Sequence, residues 1–266
     1  MPTERVNEID MYYEIHGNGE PLVMIQGLGF EISAMVTEPG KARYIDKFTD
    51  RYRVILFDCR GVGRTDKPDI PYSIDMMADD TAGLMDALRI PAAHIMGTSM
   101  GSQIAQTMAA KYPDRVRSLI LVAGFTRVLP GMKVIGFVMT KIPGIKEMMT
   151  GWIYRQKYPP TPASLHRMAE AANRCDTRPL LDRIRAPTLI VNGKKDAIVP
   201  MKMTSELAGG IPGARLILVD GDHLFMAKDP DLLILPALDF LRDVNIQSAG
   251  LWTDGEYCTS QEQPVR

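Results

Sequence analysis

Short unbroken apolar runs recur along the chain. They are Leu22-Val23-Met24-Ile25, Val54-Ile55-Leu56-Phe57, Ala92-Ala93-His94-Ile95-Met96, Ser118-Leu119-Ile120-Leu121-Val122, Pro187-Thr188-Leu189-Ile190-Val191 and Ala214-Arg215-Leu216-Ile217-Leu218-Val219. A run of this length with no polar alternation fits a strand covered on both faces. Between the runs the apolar spacing turns helical. From Ser73 the stripe passes through Met76, Met77, Asp80, Thr81, Leu84, Met85 and Leu88 and stops before Pro91, with Ser73 or Asp75 placed to cap it. Further helices are predicted over Lys41 to Asp50, over Ser102 to Ala110, and around 178–184, 201–209 and 230–243. At the start, Arg5–Ile9 and Met11–Ile15 read as paired edge strands around a tight turn, and His16-Gly17-Asn18-Gly19 as the next turn. Strands alternating with helices predict an α/β fold: a mostly parallel, doubly wound sheet with helices on both faces.

The alternation breaks once, from Gly124 to about Cys175. This stretch holds Pro130, Pro143, Pro159, Pro160 and Pro162 among short helical pieces. At ~50 residues it is too long for a simple connection. We therefore expect a helical cap at 125–175 over the carboxyl ends of the strands. The core domain would comprise 1–124 and 176–245, followed by a loosely ordered polar tail at 246–266. The cap carries Met132, Met139, Met148, Met149 and Met168 beside Phe125, Phe137 and Trp152. Methionine adapts its shape, so this surface suits an apolar ligand, although any single methionine is more simply a packing residue.

Composition narrows the function classes. The chain has 266 residues, 45% hydrophobic and 24% charged, which is an ordinary globular balance. A net charge of −1 gives no reason to expect nucleic acid as a partner. No stretch reaches the roughly 18 uninterrupted apolar residues of a membrane span, so no integral membrane association is expected. Met1–Asp10 carries Glu4, Arg5, Glu8 and Asp10, unlike a secretory signal. Three cysteines, Cys59, Cys175 and Cys258, are too scattered for a disulfide framework or a zinc site, and we expect a reducing, cytoplasmic setting.

The chemistry centres on Gly97-Thr98-Ser99-Met100-Gly101, between a predicted strand and a predicted helix. Gly-x-Ser-x-Gly in that context forms a sharp turn that lifts the serine hydroxyl above the sheet. The flanking positions crowd each other, which calls for glycine, and the Met100 N–H is left free at a helix N-terminus. A serine needs a base. Of the four histidines, His16 sits in an early turn, His94 inside a strand and His166 in the cap, which leaves His223 in Asp220-Gly221-Asp222-His223 after the last strand. Loops at the carboxyl ends of parallel strands are where catalytic groups gather. Asp196, after another strand in Asn192-Gly193-Lys194-Lys195-Asp196, is the candidate acid, with Asp222 as its rival. The order Ser99, Asp196, His223 is the one this architecture uses.

These motifs, with Phe57-Asp58-Cys59-Arg60-Gly61-Val62-Gly63-Arg64-Thr65-Asp66, resemble the α/β-hydrolase fold family of lidded esterases, lactonases and C–C hydrolases, over about residues 10–245. The resemblance implies that Gln26-Gly27-Leu28-Gly29 supplies a second oxyanion donor, the Leu28 N–H, to pair with Met100. It places Gly27, Gly29 and Phe30, with Met139 and Trp152 of the cap, around the substrate. Gln26 stands where the family commonly has histidine, and Ser102 where a third glycine is frequent. Asp58 and Arg60 read as supports of the fold, and Cys59 as a small core residue. The expected activity is serine hydrolysis of a small to medium carboxylic ester or lactone with an apolar acyl part, with no metal or organic cofactor. C–C bond hydrolysis of vinylogous diketones, cofactor-free perhydrolysis and ligand sensing without turnover stay open, as does a homo-oligomeric state, because this fold serves many chemistries.

Overall fold

The computed structural model describes residues 2–33, 45–129, 151 and 153–248. The strands β1 (Thr3–Val6), β2 (Ile9–His16), β3 (Glu20–Ile25), β4 (Tyr52–Phe57), β5 (Ala93–Thr98), β6 (Val116–Val122), β7 (Thr188–Gly193) and β8 (Arg215–Val219) form one sheet. Their order is β1-β2-β4-β3-β5-β6-β7-β8. β2 pairs antiparallel with β1 and β4, and every other pairing is parallel.

The unbroken apolar runs have the expected cause. Val23, Ile25, Ile55, Phe57, Ile95, Leu119, Leu121 and Ile190 enter the core on one face. Leu22, Met24, Val54, Leu56, Met96, Ile120, Val122, Leu189 and Val191 enter the core on the other. Successive side chains point to opposite faces, so a strand buried on both sides must be apolar at every position. The first face is covered by α2 (Ile74–Ala87), α3 (Met100–Lys111) and α5 (Met201–Gly210), through Met77, Leu84, Ile104, Met108 and Leu207. The second is covered by α1 (Asp46–Thr49) and α7 (Asp231–Ser248), through Phe48, Leu233, Ala237 and Leu241. The other described helices are α4 (Pro162–Arg174) and the single turn α6 (Phe225–Lys228). None of the described helices is long and apolar enough to cross a membrane.

Several local expectations are refined. The first hairpin turns at Asn7-Glu8, not at Asp10. Val6 faces Ile9, and both turn residues take positive φ, 44° and 68°. Asn7 tolerates this left-handed backbone better than most residues, and a strand pattern read through it misplaces the turn. Of the helix expected over Lys41 to Asp50, the described part is α1. The segment around 178–184 is a 3₁₀ helix (Arg178–Arg183) with Pro179 in its first turn. α7 runs on to Ser248, past residue 245, with Pro236 inside it. Ser73, rather than Asp75, caps α2, its Oγ accepting from the Met76 N–H at 3.0 Å.

Two polar assemblies lock the frame. Arg60 donates twice to Asp80, Nε to Oδ2 and Nη2 to Oδ1, each at 2.7 Å. Both side chains are buried, which ties the loop after β4 to α2. The second assembly joins the two ends of the insertion between β6 and β7. Arg127 and Asp176 form an isolated antiparallel bridge, and the Thr177 N–H donates to Thr126 O. Two buried glutamines of α3 reach this stem. Gln106 Nε2 donates to Phe125 O at 3.1 Å, and its Oε1 accepts from the Thr177 hydroxyl at 2.5 Å. Gln103 Nε2 reaches Thr126 O and Ala172 O, each at 3.4 Å.

Candidate active site

Ser99 stands at the junction of β5 and α3 with φ 54° and ψ −116°, a backbone few non-glycine residues adopt. The crowding expected of the turn is present. A Cβ on Gly97 would lie 2.3 Å from Gly101 O, and a Cβ on Gly101 would lie 2.3 Å from Ile25 O. The end of β3 therefore rests on the first turn of α3, and only glycine lets the backbones approach this closely. The Ser99 N–H donates to Val122 O at 2.9 Å, fixing the turn to β6. Met100 opens α3, so its N–H has no acceptor within the helix and lies at the positive end of the helix dipole.

The loop after β3 lies beside the serine. A Cβ on Gly27 would come 3.4 Å from Ser99 Cβ. Gly27 O accepts from the Phe30 N–H at 3.2 Å, making a tight turn with Leu28 inside it. Leu28 and Phe30 are half-buried, and Gly29 has φ 74°. The insertion covers this loop: a Cβ on Gly29 would meet Leu165 Cδ1 at 2.8 Å and Ile153 Cγ2 at 3.1 Å. Met139 and Trp152 lie outside the described residues.

Asp196 and His223 meet across adjacent loops. The Lys194 N–H donates to Val219 O and the Lys195 N–H to Gly221 O, which aligns the loop after β7 with the loop after β8. His223 Nδ1 lies 2.8 Å from Asp196 Oδ2. The other carboxylate oxygen, Oδ1, accepts from the Ile198 and Val199 N–H groups at 2.9 and 2.7 Å. The Asp196 side chain is fully buried, and His223 is partly exposed. A carboxylate fixed on both oxygens can hold an imidazole in one orientation, with Nδ1 protonated and Nε2 free to act as base.

Asp222 does not take this role. It pairs with Lys228 and accepts from the Leu224 N–H, and the Lys228 ammonium holds its carboxyl below the usual range. The other histidines are occupied or remote. His16 contacts Glu14, and His166 is exposed on α4. His94 is buried between Ser118 and Glu20, and burial lowers its pKa. No hydrogen bond joins Ser99 Oγ to His223 among the described residues.

The neighbouring polar residues support the frame. Buried Asp58 accepts from the Ile32 and Arg64 N–H groups, and burial raises its pKa, with the Glu31 carboxyl adding to the effect. Burial, with nearby Asp58 and Asp80, pushes the Cys59 thiol up to about 12. Ser102 Oγ accepts from the Phe125 N–H at 3.4 Å. The sequence pattern did not single out Glu31 within the loop after β3, nor Ile153, Gln156 and Leu165, which meet that loop from across the chain. Asp80 and Thr81 did carry a signal, as polar residues inside an otherwise apolar helical stripe.

A family model described as alpha/beta hydrolase fold matches residues 20–175. A relative from Azorhizobium caulinodans, named as a carbamate hydrolase (RutD), is 32% identical over 92% of this chain and 100% of its own length. A Neisseria meningitidis protein named pimeloyl-acyl-carrier-protein methyl ester esterase is 33% identical over 59% of this chain and 70% of its own. The crystal structure of the enol-lactonase from Burkholderia xenovorans superimposes with a TM-score of 0.76 at 26% identity, covering 91% of this chain and 100% of that one.

Proposed function

The chain belongs to the alpha/beta hydrolase fold family, and from that premise we propose that it is a serine hydrolase in which Ser99, His223 and Asp196 act as nucleophile, base and orienting acid. The observation that carries this reading is the His223–Asp196 contact at 2.8 Å, with Asp196 held by two further N–H groups. The steps follow from ordinary acyl-transfer chemistry. Ser99 Oγ attacks the carbonyl carbon as His223 Nε2 takes its proton. The Leu28 and Met100 N–H groups hold the oxyanion. His223 then protonates the leaving oxygen, and the acyl-enzyme forms. A water molecule, deprotonated by His223, releases the acid.

The substrate is a small to medium carboxylic ester or lactone with an apolar acyl part. Support comes from the half-buried Leu28 and Phe30 beside the serine and from Ile153 and Leu165 above Gly29. In this reading residues 125–175 form a cap over the substrate. Carbamate hydrolysis is the second reading, favoured by the name of the relative that matches over its full length. It uses the same attack on a carbonyl carbon.

The experiment is intact mass after incubation with a fluorophosphonate, on wild type beside Ser99→Ala, followed by a panel of esters, lactones and carbamates. A single adduct on wild type alone is expected, with turnover of the oxygen esters. An adduct on both proteins, or none on folded wild type, would overturn the assignment.

A further inference from the structure

The Leu28 N–H is useful only if its loop is held still, and the residue that holds the loop lies in the insertion. We propose that Gln156 is a positioning residue that sets the oxyanion-donor loop, with Glu31 completing a reciprocal latch between loop and cap. The proposal rests on the reading of Leu28 as an oxyanion donor.

Gln156 uses its whole amide. Nε2 donates to Gly29 O at 2.8 Å and to Ile153 O at 2.8 Å, and Oε1 accepts from the Glu31 N–H at 2.8 Å. The opposite amide orientation would set its oxygen against two carbonyls, so the arrangement is self-consistent. One side chain therefore grips the loop backbone on either side of Phe30. Glu31 answers in the other direction. Its Oε1 accepts from the Tyr158 N–H of the cap at 3.0 Å and from the Ser33 hydroxyl at 2.6 Å. Glu31 is fully buried, and its Oε2 has no hydrogen-bond partner among the described residues. A buried carboxylate oxygen left unpaired is destabilising. Against that cost stand the bonds its Oε1 makes to the Tyr158 N–H and the Ser33 hydroxyl, which tie the cap to this loop.

The loop has a fixed end and a latched end. At Gly27 it abuts Ser99, and at Gly29 and Glu31 it hangs on Gln156. Leu28 lies between these anchors. Release of Gln156 leaves Gly29 O and the Glu31 N–H without their partner, and Leu28 is freed at one side. Cap seating and oxyanion-donor placement become one event.

The test compares wild type with Gln156→Met, which keeps length but not polarity, and with Gln156→Glu, which keeps the acceptor but cannot donate to Gly29 O. Three quantities are read: amide hydrogen exchange over residues 27–32, kcat and KM on p-nitrophenyl acetate, and inhibition by a boronic acid (tetrahedral adduct) against the carboxylate product. We expect exchange in 27–32 to rise in both variants with exchange elsewhere unchanged. We expect kcat to fall about 10- to 100-fold with KM within about threefold. Boronate affinity should fall in parallel while product affinity holds; simple loss of packing would move both alike. Unchanged exchange in 27–32 overturns the latch. Faster exchange with intact kcat and boronate affinity overturns its role in placing the donor. Fluorophosphonate labelling of wild-type Ser99 separately checks the hydrolase reading, and the exchange result judges the latch whatever that labelling shows.

Discussion

His223 and Asp196 sit on loops that follow different strands, and their 2.8 Å contact is the one printed by the fold rather than by nearness in sequence. Asp222, directly before His223, turns away to Lys228. The two carboxylates should therefore respond differently to neutralisation. Asp196→Asn still accepts from the Ile198 and Val199 N–H groups but no longer stabilises a protonated His223, and kcat should fall by about 10³-fold or more. Asp222→Asn should leave kcat within about twofold. Steady-state kinetics on a p-nitrophenyl ester decide, and equal losses in the two variants would remove Asp196 from its role.

Gly97 faces Gly101 O at a hypothetical Cβ distance of 2.3 Å, with Ala105 Cβ at 2.8 Å. The neighbours are backbone and a packed helix, which cannot yield cheaply. Gly97→Ala should destabilise the fold by about 1–3 kcal/mol and displace Ser99 enough to suppress activity. Urea unfolding with parallel ester assays measures both. Wild-type stability with wild-type turnover would show that the turn has slack.

The Arg60–Asp80 pair is buried at both ends, with side chains 3% and 2% exposed. Removal of one partner strands a charge. Asp80→Ala should cost about 3–5 kcal/mol, and the apolar double replacement Arg60→Met with Asp80→Leu should recover most of that loss. A double variant no more stable than Asp80→Ala, measured by denaturant titration, would contradict this account.

His94 is buried, and burial holds its pKa below the ordinary histidine value despite the opposing contact with Glu20. The groups around it are Glu20, Arg117, Ser118, Asn245 and the edge-on Tyr52 ring. Below about pH 7 the unfolded chain takes up a proton here that the folded chain resists. Stability should therefore fall as pH drops towards 5, by at most about 1.4 kcal/mol per pH unit for this one group. His94→Gln should flatten that slope. Chemical denaturation at pH 7.5 and 5.5 compares the two, and equal slopes would assign the acid sensitivity to other residues.

The sheet was legible because burial on two faces forces unbroken apolar runs, a pattern that short-range reading detects. The places of Ser99, Asp196 and His223 in the fold were legible because each follows such a run and Ser99 is flanked by its glycines. The first turn was misplaced because Asn7-Glu8 lacks the glycine that usually announces positive φ. Asp80 lay in plain view as a polar residue in an apolar stripe, but its partner Arg60 could not be deduced from spacing. The contacts of Gln156 with Gly29 and Glu31 join segments about 125 residues apart along the chain. No local period encodes such a meeting, and it exists only once the insertion folds back over the sheet.

Gln103 and Gln106 fasten both ends of the insertion to a single helix, the one that begins at the Ser99 turn. The stem is thus a socket: its bonds to that helix are made by Phe125, Thr126, Ala172 and Thr177. Both ends of the insertion therefore share one foundation with the turn that carries Ser99.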